Sequence, residues 1–367
     1  MQAKSALLSW FDLHQRALPW RSTGDPPDPP PDPYAVWVSE IMLQQTRVET
    51  AIPYYRRFLA RFPDVASLAA AEEEEVLALW SGLGYYRRCR GLVAAARAVV
   101  AAGGKLPASA RELERLPGIG PYTAAAIASI AFRQPVPVLD GNVERVLSRY
   151  VAQAGGARSR ADRAALLELA GSLLDRRRPG DSNQALMELG ATVCTPRAPR
   201  CPLCPLRNGC RAFAAGAPES YPAPAKRAAA ERVRQLVVVV EERGRWLLFR
   251  RSAASGQLAS LWEFPAIELG GATAPQEALA ERFGGRWCLG EELFQLRHSI
   301  TTRAFAIEVR RATLLGARTE GNELAEAAGG EGGSGSEPGW WRLDELAGLP
   351  LTGLAKKLLA RARVQPG

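Results

Sequence analysis

Leu116-Pro117-Gly118-Ile119-Gly120-Pro121-Tyr122-Thr123-Ala124 lies between two segments with apolar residues at helical spacing, Ser109 to Leu116 and Tyr122 to Phe132. Gly118 and Gly120 permit backbone conformations and close approaches that side chains would forbid. The exposed amides of the turn and of the following helix N-terminus can then hold a phosphate without reading sequence. The stretch predicts two helices joined by a tight hairpin that can grip a polyanionic backbone. An ordinary helix–helix turn is the plainer alternative, because Gly-x-Gly alone is common.

Helical spacing continues on both sides of the hairpin, from residue 1 to about 215. The predicted helices include Val36–Phe62, Ala70–Trp80, Arg87–Ala102, Asn142–Tyr150, Arg160–Leu174 and Ser182–Cys194, without strand-like alternation between them. Glu72 to Glu75 reads as an acidic first turn favoured by the helix dipole. From Ala214 to Ala230 the composition changes to Ala, Pro, Lys and Arg, as in an interdomain linker. The period then becomes that of strands, at Arg234–Glu241, Trp246–Arg250, Trp262–Ile267 and Thr302–Arg310, with helices at Pro275–Phe283 and Leu351–Arg363. Ala328 to Gly339 reads as a flexible Gly, Ser and Glu-rich loop. The chain is therefore multidomain. An all-α region spans 1–215, with a six-helix domain at about 30–135 and the remaining helices and cysteine loop at 1–29 and 136–215. A linker at 216–232 leads to an α+β domain at 233–367.

The 47 Lys and Arg exceed the 38 Asp and Glu, a net charge of +9, which suits a polyanionic partner. Only His14 and His298 are present, so histidine chemistry does not dominate. No apolar run approaches the roughly 20 residues of a membrane helix, and the N-terminus has no secretory pattern. The expectation is a monomer in the cytoplasm, nucleoid-associated in a bacterium, with no membrane partner.

Cys194, Cys201, Cys204 and Cys210 leave gaps of six, two and five residues. Four thiolates in one compact loop can wrap a cuboidal iron–sulfur cluster without ligands from elsewhere. A four-cysteine zinc site is the first alternative, although zinc ribbons favour two Cys-x2-Cys pairs and only Cys201 and Cys204 are so spaced. A pair of disulfides is the second, against which stands the length of the chain. Cys89 and Cys288 fall outside the spacing and read as ordinary buried thiols.

The cysteine spacing resembles the [4Fe-4S] loop of DNA glycosylases like endonuclease III, and the hairpin resembles their helix-hairpin-helix motif. Val36-Trp37-Val38-Ser39-Glu40-Ile41-Met42-Leu43-Gln44-Gln45-Thr46 and Val138-Leu139-Asp140-Gly141-Asn142-Val143 resemble the signature segments of adenine DNA glycosylases of the MutY family. The resemblance implies an all-α helix-hairpin-helix glycosylase core with a [4Fe-4S] cluster, acting on double-stranded DNA that contains adenine mispairs. Cleaving a purine glycosidic bond requires protonation of a poor leaving group and stabilisation of an oxocarbenium-like sugar. By resemblance Glu40 is the acid and Asp140 the stabilising or nucleophilic partner. Read alone, Glu40 is one more helix carboxylate and Asp140 a helix N-cap. Tyr122, the third residue counted as catalytic, stands where bifunctional relatives carry a Schiff-base lysine, which implies base removal without strand cleavage.

Base removal also requires extrusion from the duplex. Gln45 matches the residue that wedges into the stack, with Gln44 and Thr46 beside it. In Gly82-Leu83-Gly84-Tyr85-Tyr86-Arg87 the resemblance gives Tyr85 as the intercalating ring, beside Tyr86; core packing is the plain alternative for both. Leu18-Pro19-Trp20-Arg21 and Asn183-Gln184-Ala185-Leu186 supply Arg21 and Gln184 as candidates for the adenine edge and Trp20 for a pocket wall. Gly118 and Gly120 are the candidates for binding the DNA backbone.

Trp262-Glu263-Phe264-Pro265, with the glycines and helix that follow, resembles a Nudix-type domain. Gly271 and Glu277 fit the start of the hydrolytic pattern, but the tandem glutamates that would hold magnesium are missing from Ala278 to Gly285. The α+β domain therefore reads as a recognition module. Two places depart from the family: a proline-rich insertion at Gly24–Pro33, and Ile300-Thr301-Thr302 where the family has Phe-Ser-His. Thr301 supplies a hydroxyl in place of the serine. Two other readings remain, an endonuclease III-like pyrimidine glycosylase and lyase, and a DNA-binding protein without catalysis.

Overall fold

The computed structural model describes residues 2–21, 30–224, 230–252, 254, 258–300, 302–315 and 337–362. Thr301, residues 22–29, which include 24–29 of the insertion, residues 225–229 of the linker and residues 316–336 lie outside them. The chain divides into two compact units, Met1–Ala71 with Arg88–Lys226, and Glu72–Arg87 with Arg227–Gly367. Residues 72–87 fall inside the 30–135 domain of the sequence reading, yet they cluster with the C-terminal residues.

The first unit is helical: α1 (Gln2–His14), α2 (Pro33–Leu43), α3 (Val48–Arg61) and α4 (Val65–Ala70). After α5 (Glu73–Trp80), which belongs to the second unit, α6 (Tyr86–Ala101) returns the chain. It continues as α7 (Ala110–Leu113), α8 (Pro121–Phe132), α9 (Gly141–Val151), α10 (Arg160–Leu173), α11 (Pro179–Thr192) and α12 (Arg211–Ala214). The single helix expected over Val36–Phe62 is two. The break falls at Gln44-Gln45-Thr46, where Gln45 has φ +55°, a left-handed conformation that a continuing helix excludes.

Eight of the eleven residues of α2 are buried, on every side of the helix, which makes it a core element rather than an amphipathic surface helix. Asp32 caps it through the amides of Tyr34 and Ala35, with Pro33 in the first turn. Helix α8 is an alanine-rich partner whose residues Thr123 to Ala131 are all buried, so small side chains let the two helices pack together.

The hairpin joins α7 to α8. Gly118 has φ +75°, and a Cβ there would lie 3.0 Å from Cα of Gly91 on α6. Gly120 has an ordinary φ of −91° and open space around it; its expected conformational necessity is corrected, and only Gly118 requires glycine. Gly118→Ala should therefore destabilise the protein by about 2 to 3 kcal/mol, from left-handed strain plus the backbone collision. Gly120→Ala should cost much less. Denaturant midpoints of the two variants check this difference.

The second unit holds two sheets, built from β1 (Glu231–Val239), β2 (Glu241–Glu242), β3 (Arg245–Arg250), β4 (Trp262–Glu263), β5 (Ala266–Leu269), β6 (Arg286–Ile300), β7 (Arg303–Leu315) and β8 (Glu337–Arg342). One sheet runs β5-β1-β7-β6; in the other β3 pairs with β2, β4 and β8. Strand β1 is parallel to β7 and supplies the buried run Leu236 to Val239. Beside α5, the α-helices described in this unit are α13 (Pro275–Phe283) and α14 (Gly353–Ala362). Strand β6 escaped the sequence reading because register shifts between Leu289 and Phe294 break its alternation. Glu337–Gly339, expected in a loop, begin β8. Cys288, expected to be buried, is exposed on β6, whereas Cys89 is buried. The expected acidic first turn is present, with Glu73, Glu74 and Glu75 opening α5.

Candidate active site and cysteine pocket

Glu40 is carried into the core by α2 and is 7% exposed. Its Oε2 accepts a hydrogen bond of 2.8 Å from the Tyr122 hydroxyl, which also lies 3.2 Å from Met187 Sδ on α11. Burial pushes the Glu40 carboxyl up to about 7, the charge of Asp140 adds to the rise, and Tyr122 and Arg21 oppose it. The Tyr122 hydroxyl is itself pushed well above its ordinary value, first by burial and then by the Glu40 and Asp140 charges. Tyr122 therefore stays protonated and serves Glu40 as a donor.

Asp140 precedes α9 and caps it: Oδ1 accepts the Val143 amide at 2.7 Å and Oδ2 the Asn142 side-chain amide at 3.1 Å. Burial raises this carboxyl, while Val143, Asn142 and Arg145 pull in the opposite direction. The bland and the catalytic readings of Asp140 are thus compatible. The two carboxyls differ in support, since Glu40 has one phenol donor and Asp140 has two amides at a helix N-terminus, where the dipole favours negative charge. Such a contrast separates a proton donor from a charge stabiliser.

Residues that the sequence did not single out hold this arrangement. Arg145 donates to Asn142 Oδ1 (2.9 Å), Gly190 O (2.7 Å) and Cys194 O (2.9 Å), linking the cap of α9 to the start of the cysteine loop. Gly190 admits the close crossing of α11, since a Cβ there would lie 2.7 Å from Asn142 Cβ. Arg88 donates to the carbonyls of Ile41 (2.7 Å), Met42 (3.1 Å) and Gln44, an interaction that suits a cation at a helix C-terminus. Gln44 reaches Thr123 Oγ1 at 3.1 Å, Gln45 is exposed, and the Thr46 hydroxyl accepts from Arg88 at 3.3 Å.

Arg21 is engaged within the protein. It donates to Gln184 Oε1 (3.1 Å), Glu188 Oε2 (2.9 Å) and Arg16 O (3.1 Å). Glu188 is fully enclosed and also receives two bonds from the Arg16 guanidinium, at 2.6 and 3.0 Å, and one from the Arg16 amide at 3.3 Å. Burial alone would raise its carboxyl, but the two guanidinium groups outweigh that and hold it below its ordinary value. Glu188 sits one turn beyond Gln184, the i,i+4 spacing that could have drawn attention to it. Trp20 packs edge-on against Tyr55, ring centroids 5.2 Å apart. Asn183 is structural: its side chain bonds Ser129 Oγ, Val136 O and the Val138 amide, all within 3.2 Å.

In the second unit Tyr85 and Tyr86 have different fates. Tyr85 has φ +50° and is 50% exposed. Tyr86 is buried and donates its hydroxyl to Leu351 O at 3.0 Å.

Cys194, Cys201, Cys204 and Cys210 are unpaired thiols that line one pocket with Val146, Arg149, Tyr150 and Leu206. Burial pushes Cys204 up to about 12 and raises Cys201, and the neighbouring thiols raise both further. Arg149 donates to Cys194 Sγ at 3.3 Å and to the carbonyls of Thr195, Pro196 and Tyr221 at 2.7 to 3.0 Å. Among the described residues no three His, Cys, Asp or Glu side chains are grouped to hold one metal ion, although all four cysteines line the same pocket. Arg197, Arg200 and Arg207 are exposed on the loop.

Residues 38–169 match the family described as HhH-GPD superfamily base excision DNA repair protein, and residues 235–361 match the NUDIX domain family. The chain is 42% identical over 299 residues to an adenine DNA glycosylase of Arabidopsis thaliana, covering 72% of this chain and 47% of that one. It is 40% identical over 340 residues to the adenine DNA glycosylase of Mus musculus, covering 80% and 66%. It is 35% identical over 331 residues to that of Schizosaccharomyces pombe, covering 76% and 72%. The chain thus spans about half to two thirds of the length of the plant and mouse relatives. A solved thermostable thymine-DNA glycosylase superimposes with a TM-score of 0.51 at 29% identity, covering 58% of this chain and 95% of that one.

Proposed function

Because this chain belongs to the adenine DNA glycosylase family, we propose that it hydrolyses the N-glycosidic bond of adenine mispaired with 8-oxoguanine or guanine in double-stranded DNA, and stops at base removal. The observation that carries this reading is the buried Glu40–Tyr122 pair beside the charge of Asp140.

A carboxyl held neutral near pH 7 can donate a proton to an imidazole-ring nitrogen of the flipped adenine. Tyr122 occupies Oε2, which leaves Oε1 to carry that proton. After transfer, the Tyr122 hydroxyl bond supports the Glu40 carboxylate while it orients the attacking water. Asp140, fixed through both oxygens, stabilises the sugar cation as the bond breaks. Arg21 and Glu188 orient Gln184, whose amide nitrogen is left to face the adenine edge. The outward amides of the hairpin take a phosphate. Gln45, exposed with left-handed backbone, is the wedge on the first unit.

The cysteine pocket favours a [4Fe-4S] cluster, which Cys194, Cys201, Cys204 and Cys210 would hold. The donor set is all cysteine sulfur, and Arg149 supports the Cys194 sulfur. Such a cluster would brace the loop that presents Arg197, Arg200 and Arg207 to DNA. Tyr122 in place of an amine removes the group that forms an imine with the sugar, and the chain has no lysine between Lys105 and Lys226.

The test is base release across a panel of adenine and pyrimidine mispairs, followed by borohydride trapping on abasic DNA. Adenine opposite 8-oxoguanine and guanine should be released and the protein should not be trapped. Release of damaged pyrimidines with efficient trapping would overturn the proposal.

A further inference from the structure

Within the second unit, the loop that presents Tyr85 is fastened to Leu351, which bridges to Trp262 of β4, and to the helix α14 that follows it. Leu351 O accepts the Ser81 hydroxyl at 2.7 Å and the Tyr86 hydroxyl at 3.0 Å, so both ends of the loop meet one carbonyl. Lys356, on the first turn of α14, donates its ammonium to Ser81 O. The Tyr86 hydroxyl also accepts the Gly82 amide at 3.4 Å, and Trp80 Nε1 donates to Gly84 O at 3.1 Å. Ser81 and Tyr86 are buried, where an unmet hydroxyl is costly. The carbonyl itself is anchored: Trp262 N donates to Pro350 O at 2.9 Å and Thr352 N to Trp262 O at 3.0 Å, which tie residues 350–352 to β4. Between two buried, fastened ends the half-exposed Tyr85 ring projects with φ +50°.

We propose that Leu351–Lys356 is a clamp that holds the 81–86 loop, so that the C-terminal segment sets the position of the Tyr85 wedge and thereby the rate at which adenine leaves the stack. Ser81 and Lys356 are positioning residues in this scheme, acting through Tyr85 and making no contact with the base. The inference rests on the proposed glycosylase reading and deepens it. It also explains why a glycine-punctuated loop need not lose its wedge to backbone freedom: an aromatic ring fills a stack gap only if its entry angle is fixed in advance.

The test uses the full chain and an adenine:8-oxoguanine duplex carrying 2-aminopurine beside the adenine, whose fluorescence rises when the stack opens. Ser81→Ala and Lys356→Met should each slow the rise by about tenfold, the factor carried by one hydrogen bond of ordinary strength. The pH midpoint of base release should not move, since Glu40 is untouched. Lys357→Met, which removes the same charge one residue on, should open the stack at the wild-type rate. Unchanged opening in both clamp variants overturns the proposal, as does an equal loss in Lys357→Met or a shifted pH midpoint. Wild-type protein that opens the stack but releases no adenine would instead overturn the glycosylase reading and leave the clamp standing.

Discussion

Glu40→Gln protein should release adenine from an adenine:8-oxoguanine duplex about a thousandfold more slowly than wild type in a single turnover, within the range general acid catalysis supplies. Glutamine matches the shape of the neutral carboxyl and can still accept from Tyr122, so the loss isolates the proton. Near wild-type release would sink the mechanism. The pH dependence follows from the same group: with the carboxyl at about 7, wild-type release should hold at lower pH and decline tenfold per unit above about 7. The stability consequence has a definite sign. A folded pKa raised above the unfolded value contributes stability that is full below about 4.5 and is lost as pH rises through about 7. Glu40→Gln should therefore be more stable than wild type at pH 8, by up to about 3 kcal/mol. At pH 5 the advantage should nearly vanish. Urea midpoints at the two pH values check both signs together.

Asp140→Asn should lose a comparable factor, about a thousandfold, for a different reason. Asparagine is as good an N-cap as aspartate, and its one side-chain oxygen keeps the Val143 amide bond at the cost of the Asn142 contact. Stability should fall by only about 1 kcal/mol. What disappears is the negative charge that the oxocarbenium-like sugar requires. Single-turnover release and thermal melting on the same preparation separate these effects: a large rate loss with a nearly unchanged melt is the expected pair. A rate within a few fold of wild type would reduce Asp140 to its capping role.

Much of the site was legible in the sequence because its members carry their own local signals. Glu40 lies in a run that is apolar apart from Ser39 beside it, Asp140 sits immediately before a helix, and the cysteine spacing stands apart from the rest of the chain. Tyr122 was legible as a substitution for lysine, but its partner was not, since Glu40 lies 82 residues away. Glu188, Arg88 and Arg145 carry no motif. Each looks like a solvated helix charge until the fold buries it and supplies carbonyls and counter-ions. The break at Gln45 was missed because both flanking segments have helical spacing, and periodicity does not register a single left-handed residue. Strand β6 was hidden by bulges for a related reason.

The sequence by itself determined the helical core, the hairpin, the cysteine loop and the appended sheet domain, because periodicity, turn glycines and ligand spacing act over short stretches of chain. Only the tertiary structure decided that Gly118 must be glycine and Gly120 need not, that Arg21 is committed to Glu188, and that Tyr86 anchors while Tyr85 projects. Those outcomes depend on which backbone lies within 3 Å and which buried polar group lacks a partner. Such distances exist only after residues far apart in the chain have been packed together.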